Sequence, residues 1–179
     1  MKPKAKSIIV LAMHGRTPSD FPQAEKAEYF RLQSQLTSSS APNLELKRRR
    51  DALEQKIRVW RRTAENDPYH HASHELGKTL QASSGSEVIV SFNEFCAPSI
   101  PEAIDLAAEK NPEKILIVTP MMTKGSGHSD VEIPLIVKQA QAKHPACSIL
   151  YVWPFDDSEI AAFLNRQINL FLKKQPISV

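Results

Sequence analysis

The chain has 179 residues, of which 41% are hydrophobic and 24% are charged, and its formal net charge is +3. This length fits a single domain over residues 1–179, and so small a charge excludes the strongly basic surface of most nucleic-acid-binding domains. The apolar runs are too short to cross a bilayer, and the basic, apolar start runs into His14 and Arg16 without a signal-peptide cleavage site. Two cysteines, Cys96 and Cys147, are too few for a disulfide framework. We therefore expect a cytoplasmic protein that binds neither nucleic acid nor membrane.

Four apolar runs rich in β-branched residues predict buried strands. Each run is continuous rather than alternating, which is typical of strands covered on both faces of a parallel sheet. The runs are Ser7–Met13, Glu87–Phe92, Lys114–Thr119 and Ser148–Trp153. Helical patterns separate them, so the order β-α-β-α-β-α-β-α predicts an α/β fold. We expect a doubly wound, mainly parallel four-stranded sheet with helices on both faces.

Capping signals and apolar stripes place the helices. Asp67-Pro68 reads as an N-cap followed by proline in the first turn, and Ser99-x-x-Glu102 reads as a capping box. A later helix should begin near Glu132 or Ile133, because Pro134 fits only its first turn. Apolar residues at helical spacing predict inner stripes in three helices. They are Tyr69, Ala72, Leu76 and Leu80 after Asp67; Ile100, Ala103, Ile104, Ala107 and Ala108 after Ser99; and Ile160, Phe163, Leu164, Ile168 and Phe171 in the last helix.

The first crossover, from His14 to Ser86, is far longer than one βαβ connection requires. It predicts a helical insertion at about residues 37–66, with a loop at Thr37–Asn43 and a charged helix at Leu44–Asn66. That helix carries eight bases and four acids around a narrow apolar stripe. We favour a helix that lies on the sheet layer with its charges in water. A dimer surface or a wall for an acidic substrate is the alternative.

Three polar side chains follow three of the predicted strands. His14 comes after the first strand, Glu94 at the end of the second, and His128 in the loop after the third. In an open parallel sheet these positions share one edge, where ligands bind. Two neutral imidazoles and a carboxylate suit divalent cobalt, nickel, iron or zinc, and they also accept protons near neutral pH.

Two weaker signals have more ordinary interpretations. The Gly125-Ser126-Gly127-His128 loop before a helix could cradle an anion, although it matches no nucleotide-binding fingerprint. The cluster His70, His71 and His74 includes an i,i+4 pair that could bind a metal, but we favour a solvated helix face. No nucleophile motif is present.

The motifs around these residues resemble those of the class II chelatases, the sirohydrochlorin cobaltochelatase and ferrochelatase family, in its short, half-size form. The resemblance is carried by Val10–Arg16 (VLAMHGR), Ser91–Ile104 (SFNEFCAPSIPEAI), Lys114–Pro134 (KILIVTPMMTKGSGHSDVEIP) and Ile149–Leu164 (ILYVWPFDDSEIAAFL). It covers the whole predicted α/β core and leaves the basic insertion outside.

The resemblance implies insertion of a divalent metal, cobalt above all and iron or nickel otherwise, into sirohydrochlorin or a related tetrapyrrole. It implies that His14 and His128 bind the metal and take pyrrole protons, with Glu94 assisting, and that no organic cofactor is needed. Short members of the family pair as homodimers, so a homodimer is expected. The many carboxylates of such a tetrapyrrole could contact Arg16, Lys124 and the loop residues Gly125, Ser126 and Gly127.

Three positions depart from the family pattern. Arg16 stands where serine is usual, Glu132 replaces an aspartate before Ile133-Pro134, and Ala97 replaces an acid before Pro-Ser. These changes bear on substrate geometry and metal preference more than on fold. Two other functions stay open: a non-catalytic metal or tetrapyrrole carrier on the same fold, and an unrelated enzyme that binds an anion at the GSGH loop.

Overall fold

The structure is a computed structural model that describes residues 7–38 and 43–174. It contains four strands and six α-helices in the order β1, α1, α2, α3, β2, α4, β3, α5, β4, α6. The strands are β1 Ser7–Met13, β2 Glu87–Phe92, β3 Lys114–Val118 and β4 Ser148–Tyr151. The helices are α1 Gln23–Ser38, α2 Leu44–Arg58, α3 Pro68–Ser84, α4 Ile100–Glu109, α5 Ile133–Lys143 and α6 Asp157–Lys174. None of these described helices is long and apolar enough to cross a bilayer.

The sheet confirms the predicted fold. Its strand order is β2-β1-β3-β4 and every neighbouring pair is parallel. All four predicted strands are present, although β3 and β4 end one and two residues earlier than expected. Parallel pairing requires a crossover between successive strands, and the crossovers place helices on both faces.

Side chains of the central strand β1 alternate between two cores. Ile8, Val10 and Ala12 pack with α4, α5 and the matching face of β3. Leu11 and Met13 face the other way, toward β2 and α3. Both sets are buried, which explains why the strand reads as one continuous apolar run.

The predicted caps are confirmed. The Asp67 carboxylate accepts a hydrogen bond from the His70 amide at the start of α3. Ser99 and Glu102 form a reciprocal capping box at the start of α4. Helix α5 begins at Ile133 with proline in its first turn, and one π-helical turn, His128–Glu132, leads into it.

The predicted inner face of α3 is partly wrong. Its buried residues are Ser73 and Gly77, whereas Ala72 is exposed and Leu76 is 43% exposed. A Cβ on Gly77 would lie 2.5 Å from a Val90 methyl group, so small residues let the helix approach β2 closely. Tyr69 and Leu80 do pack against the core, as expected.

Two helices form a hairpin in the long first crossover. Helix α2 confirms the charged helix as far as Arg58, but residues 59–66 are not helical. Thr37 and Ser38, expected in a loop, belong to the end of α1, and residues 39–42 lie outside the described chain. An apolar cluster and ion pairs such as Arg49–Glu28 join the two helices. The buried members of the cluster are Phe21, Tyr29, Leu32, Leu53 and Ile57.

The last helix does not cover the sheet. No residue of α6 is buried, and it has no substantial contact with the other described elements. Its predicted apolar side therefore faces solvent, with Phe171 63% exposed. A groove of about 300 Å³ remains on the α3 side of the sheet. It is lined by Ile9, Leu11, Leu76, Leu80, Leu116, Val118, Thr119, Pro120 and Val152.

Candidate metal centre

The structure brings together the three side chains predicted from the strand ends. Glu94 lies between the two histidines, with Oε2 3.8 Å from His14 Nδ1 and Oε1 3.9 Å from His128 Nε2. The imidazole rings meet edge to face with centroids 5.1 Å apart. One ligand atom from each residue lies within 4.8 Å of the other two. Ligand distances near 2.1 Å put donors of one ion roughly 3–4 Å apart, so a small contraction would let all three bind one ion.

Strand pairing that continues beyond β1 and β2 fixes the position of Glu94. The Asn93 amide donates to the Met13 carbonyl at 2.8 Å, and the Glu94 amide donates to the His14 carbonyl at 3.0 Å. Gly15 then turns with φ of +95°, and a Cβ there would lie 1.9 Å from the Glu94 carbonyl oxygen. A glycine is therefore required after His14.

A second carboxylate orients His128. The Nδ1 atom of His128 lies 2.6 Å from Glu132 Oε2 across the π-helical turn. An ionised Glu132 accepts a hydrogen bond from Nδ1–H, and in that tautomer Nε2, 3.9 Å from Glu94 Oε1, carries the lone pair that can bind a metal. This positioning role of Glu132 was missed from the sequence. The i,i+4 spacing was the available signal, but the predicted helix began only at Glu132 or Ile133.

Asp130 fastens the loop that carries His128. Its carboxylate accepts hydrogen bonds from the Trp153 indole, at 2.8 Å, and from the Gly125 amide. These two donors hold the pKa of Asp130 below its usual range. Because a carboxylate already occupies the Gly125 amide, this part of the loop is poorly suited to an anion. Neither Asp130 nor the role of Trp153 was anticipated.

The proposed substrate-contacting residues surround the same edge. Arg16 and Lys124 are exposed after β1 and β3, and Lys124 Nζ lies 3.4 Å from an Asp157 carboxylate oxygen. Gly125 and Gly127 are exposed, whereas the Ser126 carbonyl accepts a hydrogen bond from the Asp130 amide at 3.0 Å. The loop is thus shaped by its own internal bonds.

Arg62 joins the helical hairpin to the loops of the site. Its side chain is 7% exposed and pairs with the fully buried Asp67. It also donates to the carbonyls of Ile57, Arg16 and Phe95. The expectation that the charges of this segment lie in water is therefore wrong for Arg62. A buried guanidinium here binds acceptors from four separate places in the chain.

The histidines of α3 are not a solvated face either. His70 and His74 are half-buried, and His70 stacks on the buried Phe92 ring with centroids 5.0 Å apart. Only His71 is exposed. Tyr69, which precedes His70, accepts a hydrogen bond from the His14 amide at 3.3 Å, so α3 also supports the candidate centre.

Comparison with known proteins places the chain in a family. The model of the CbiX family matches residues 62–169, more than half of the chain, including Glu94 and His128. A curated sirohydrochlorin cobaltochelatase from Priestia megaterium is 30% identical over 70 residues, which cover 39% of this chain and 22% of that protein.

Two solved structures are similar at low identity. A putative cobalamin biosynthesis CbiX protein from Marinobacter aquaeolei VT8 is 16% identical with a TM-score of 0.46, over 94% of this chain and 99% of that one. The sirohydrochlorin chelatase SirB from Bacillus subtilis subspecies spizizenii, in complex with cobalt, is 17% identical with a TM-score of 0.44. That match covers 92% of this chain and 50% of that one. The chain thus spans about half the length of SirB. On the match of the family model, the chain belongs to the CbiX family.

Proposed function

We propose that the protein is a metal chelatase that inserts a divalent ion into sirohydrochlorin or a close tetrapyrrole relative, as in cobalamin or siroheme biosynthesis. The observation that carries this proposal is the meeting of His14, Glu94 and His128 at an open sheet edge. The family and the name of its curated relative support it. Cobalt is the favoured substrate ion, with iron or nickel as alternatives, since nitrogen and oxygen ligands suit all three.

The chemistry needs a weakly held metal and acceptors for protons. Metallation removes two N–H protons from the macrocycle and strips water from the ion. His14 is about half exposed and Glu94 is 38% exposed, so the ion would keep open positions for the pyrrole nitrogens. As the ion passes to the macrocycle, the freed His14 imidazole and Glu94 carboxylate would each accept one of the two protons, while Glu132 keeps His128 oriented. No organic cofactor enters this scheme.

The loops around the three ligands are proposed to hold the substrate. Arg16 and Lys124 would pair with carboxylates on the rim of the tetrapyrrole. The loop residues Gly125, Ser126 and Gly127 would contact its edge. The exposed side chain of Arg16 and the long, weak contact of Lys124 leave both cations available for this role.

The test is an anaerobic absorbance assay with sirohydrochlorin and Co²⁺, Ni²⁺ or Fe²⁺. We expect metal insertion above the spontaneous rate, reduced about 10²–10⁴-fold in His14→Ala and in His128→Ala because each removes a ligand and a proton acceptor. His71→Ala, which changes an exposed histidine outside the site, should keep full activity. No acceleration with any metal would overturn the chelatase proposal. Stoichiometric binding without insertion would instead favour the carrier.

We also propose that the protein is one chelatase-like domain, with the helical insertion at about residues 37–66 anchored to its core. Two contacts support this arrangement. Arg58 of α2 pairs with Glu102 in the first turn of α4, and Arg62 binds the Phe95 carbonyl beside the site. The insertion therefore adds to one side of the domain instead of forming a second one.

We further propose a homodimer in which α6 of each subunit covers the open groove of its partner. Within residues 7–38 and 43–174, each subunit offers an apolar helix stripe without a partner and an apolar groove without a covering helix. A sheet face normally requires such a cover. Because the exchange is reciprocal, each subunit buries one stripe and one groove.

Light scattering during size-exclusion chromatography tests the dimer. We expect twice the chain mass, and a monomer for the double variant Ile168→Glu/Phe171→Glu, which puts charge on the stripe. The control Arg166→Glu changes an exposed α6 residue on another side of the helix and should remain dimeric. A wild-type monomer would contradict the exchange, as would a stripe variant that remains a dimer.

A further inference from the structure

A second pair of donor atoms lies outside the candidate metal centre. His70 and His74 are one turn apart on α3, and their Nε2 atoms are 3.3 Å apart. Packing holds the rings in place, since the His70 ring lies nearly parallel to the Phe92 ring and the two imidazole centroids are 4.5 Å apart. The two donor atoms therefore already lie at a separation that one ion can bridge.

The spacing of the two nitrogens matches the geometry of a bound ion. Two nitrogens at about 2.0–2.1 Å from one tetrahedral ion lie about 3.3 Å apart, which is the separation seen here. Without an ion, the same distance fits a hydrogen bond in which one neutral ring donates and the other accepts. Burial lowers the pKa of both histidines, and so does charge repulsion, from His74 at His70 and from Lys78 at His74. Both rings are therefore neutral at neutral pH, and each has one nitrogen with a free lone pair.

We propose that His70 and His74 form a second divalent transition-metal site, with both Nε2 atoms as protein ligands and water in the remaining positions. The ring that donates the hydrogen bond moves its proton from Nε2 to Nδ1, so an ion can replace the bond without net proton release. The ion class is that of imidazole ligands: Co²⁺, Ni²⁺, Cu²⁺ or Zn²⁺. Two ligands with exchangeable waters hold an ion more weakly than three.

This site is separate from the centre at the sheet edge. The group of converging donors there contains His14, Glu94 and His128 and neither histidine of α3. The two places nevertheless share a support, because Tyr69 accepts the hydrogen bond from the His14 amide and precedes His70 in the chain. The pair would thus hold an ion of the same class on the helix that supports the candidate centre.

Co²⁺ titration of the full chain, purified without a histidine tag, tests the proposal. The double variant His14→Ala/His128→Ala removes the candidate centre and isolates the pair. Visible Co²⁺ absorption and calorimetry should then report one equivalent. Adding His74→Ala should abolish that equivalent, and adding His71→Ala, at the exposed neighbour, should leave it unchanged.

Several results would overturn the proposal. One is no Co²⁺ binding in the double variant, and another is binding that survives the loss of His74. Circular dichroism and thermal unfolding check that each variant is folded. His74→Leu, which removes the ligand atom and retains apolar contact with Phe92, replaces His74→Ala if the latter unfolds. Because the double variant lacks the candidate centre, the outcome does not depend on whether the protein is a chelatase.

Discussion

The candidate centre and the histidine pair on α3 offer similar donor atoms but are assembled in opposite ways. His14, Glu94 and His128 come from three loops far apart in the chain, and the parallel sheet brings them together. His70 and His74 are brought together by one helical turn. The first arrangement depends on the whole fold, whereas the second needs only α3 and its packing on Phe92. Changes in the sheet edge should therefore affect the first and spare the second.

The largest expected effect is a loss of stability when Arg62 is replaced. Its side chain contacts both Asp67, at the start of α3, and the carbonyl of Arg16, two residues after His14. Arg62→Met leaves the fully buried Asp67, the N-cap of α3, without its counter-charge. Breaking a buried ion pair in this way costs about 3–5 kcal/mol. Urea unfolding should show that loss in the free energy of unfolding. Arg61→Met, at the exposed neighbour, should change it by less than about 0.5 kcal/mol. Equal effects of the two substitutions would mean that Arg62 does not anchor the hairpin.

Gly15→Ala separates the two regions most clearly. A Cβ at Gly15 would overlap the Glu94 carbonyl, so the carboxylate between the two histidines must move. We expect at least tenfold weaker Co²⁺ binding at the candidate centre, with the equivalent at His70 and His74 retained. Gly85→Ala is the matched control, because Gly85 also has a positive φ but has nothing within 4 Å of its Cβ position. Backbone strain alone should lower the free energy of unfolding of each variant by about 1–2 kcal/mol. Equal Co²⁺ affinities in the two variants would contradict the close approach.

Glu132→Gln changes the candidate centre without removing a ligand. A neutral amide holds the His128 Nδ1 proton less firmly than a carboxylate does, and the metal affinity should fall about 10-fold, within the 10–100-fold range of such outer contacts. Competitive titration of Co²⁺ measures this change. Glu109→Gln, at an exposed residue at the end of α4, controls for the lost charge. An unchanged affinity in Glu132→Gln would show that Glu132 does not orient His128.

The smallest expected effect is a change in stability at Asp105, whose carboxylate joins α4 to the end of α5. Lys143 and His144 of the α5 end hold the pKa of Asp105 below its usual range. The lowered pKa adds stability above about pH 4, where the unfolded chain is ionised. That stability is lost as the pH falls through the folded pKa. Asp105→Asn should therefore be less stable than the wild-type protein at pH 6. The difference in the free energy of unfolding should be at most about 1 kcal/mol, since the pair is partly exposed, and it should be smaller at pH 3. A difference that grows toward pH 3 would contradict this sign.

Much of the fold could be predicted because its signals are local or periodic. The strands are continuous apolar runs, and the caps at Asp67 and Ser99 are short patterns with one structural meaning. The three converging side chains follow from the strand predictions alone, because parallel strands end at one edge. The residue roles at that edge stay proposals, while their proximity is a feature of the structure.

Two of the misses share a different cause, which is close packing between distant segments, and the third arises from an unusual local turn. Helix α3 turns Ser73 and Gly77 inward because β2 lies too near for large side chains, and no apolar stripe indicates that choice. Arg62 is buried because its guanidinium finds four acceptors, of which the carbonyls of Arg16 and Phe95 come from distant segments. Glu132 reaches His128 through a π-helical turn, which has no sequence signature comparable to a capping box.

The most direct test of the central claim is a crystal structure with bound Co²⁺, located by anomalous scattering. The account predicts an ion at the sheet edge with the His14, Glu94 and His128 ligand atoms each at about 2.0–2.2 Å. A well-occupied site elsewhere, with no ion between these three side chains, would contradict it.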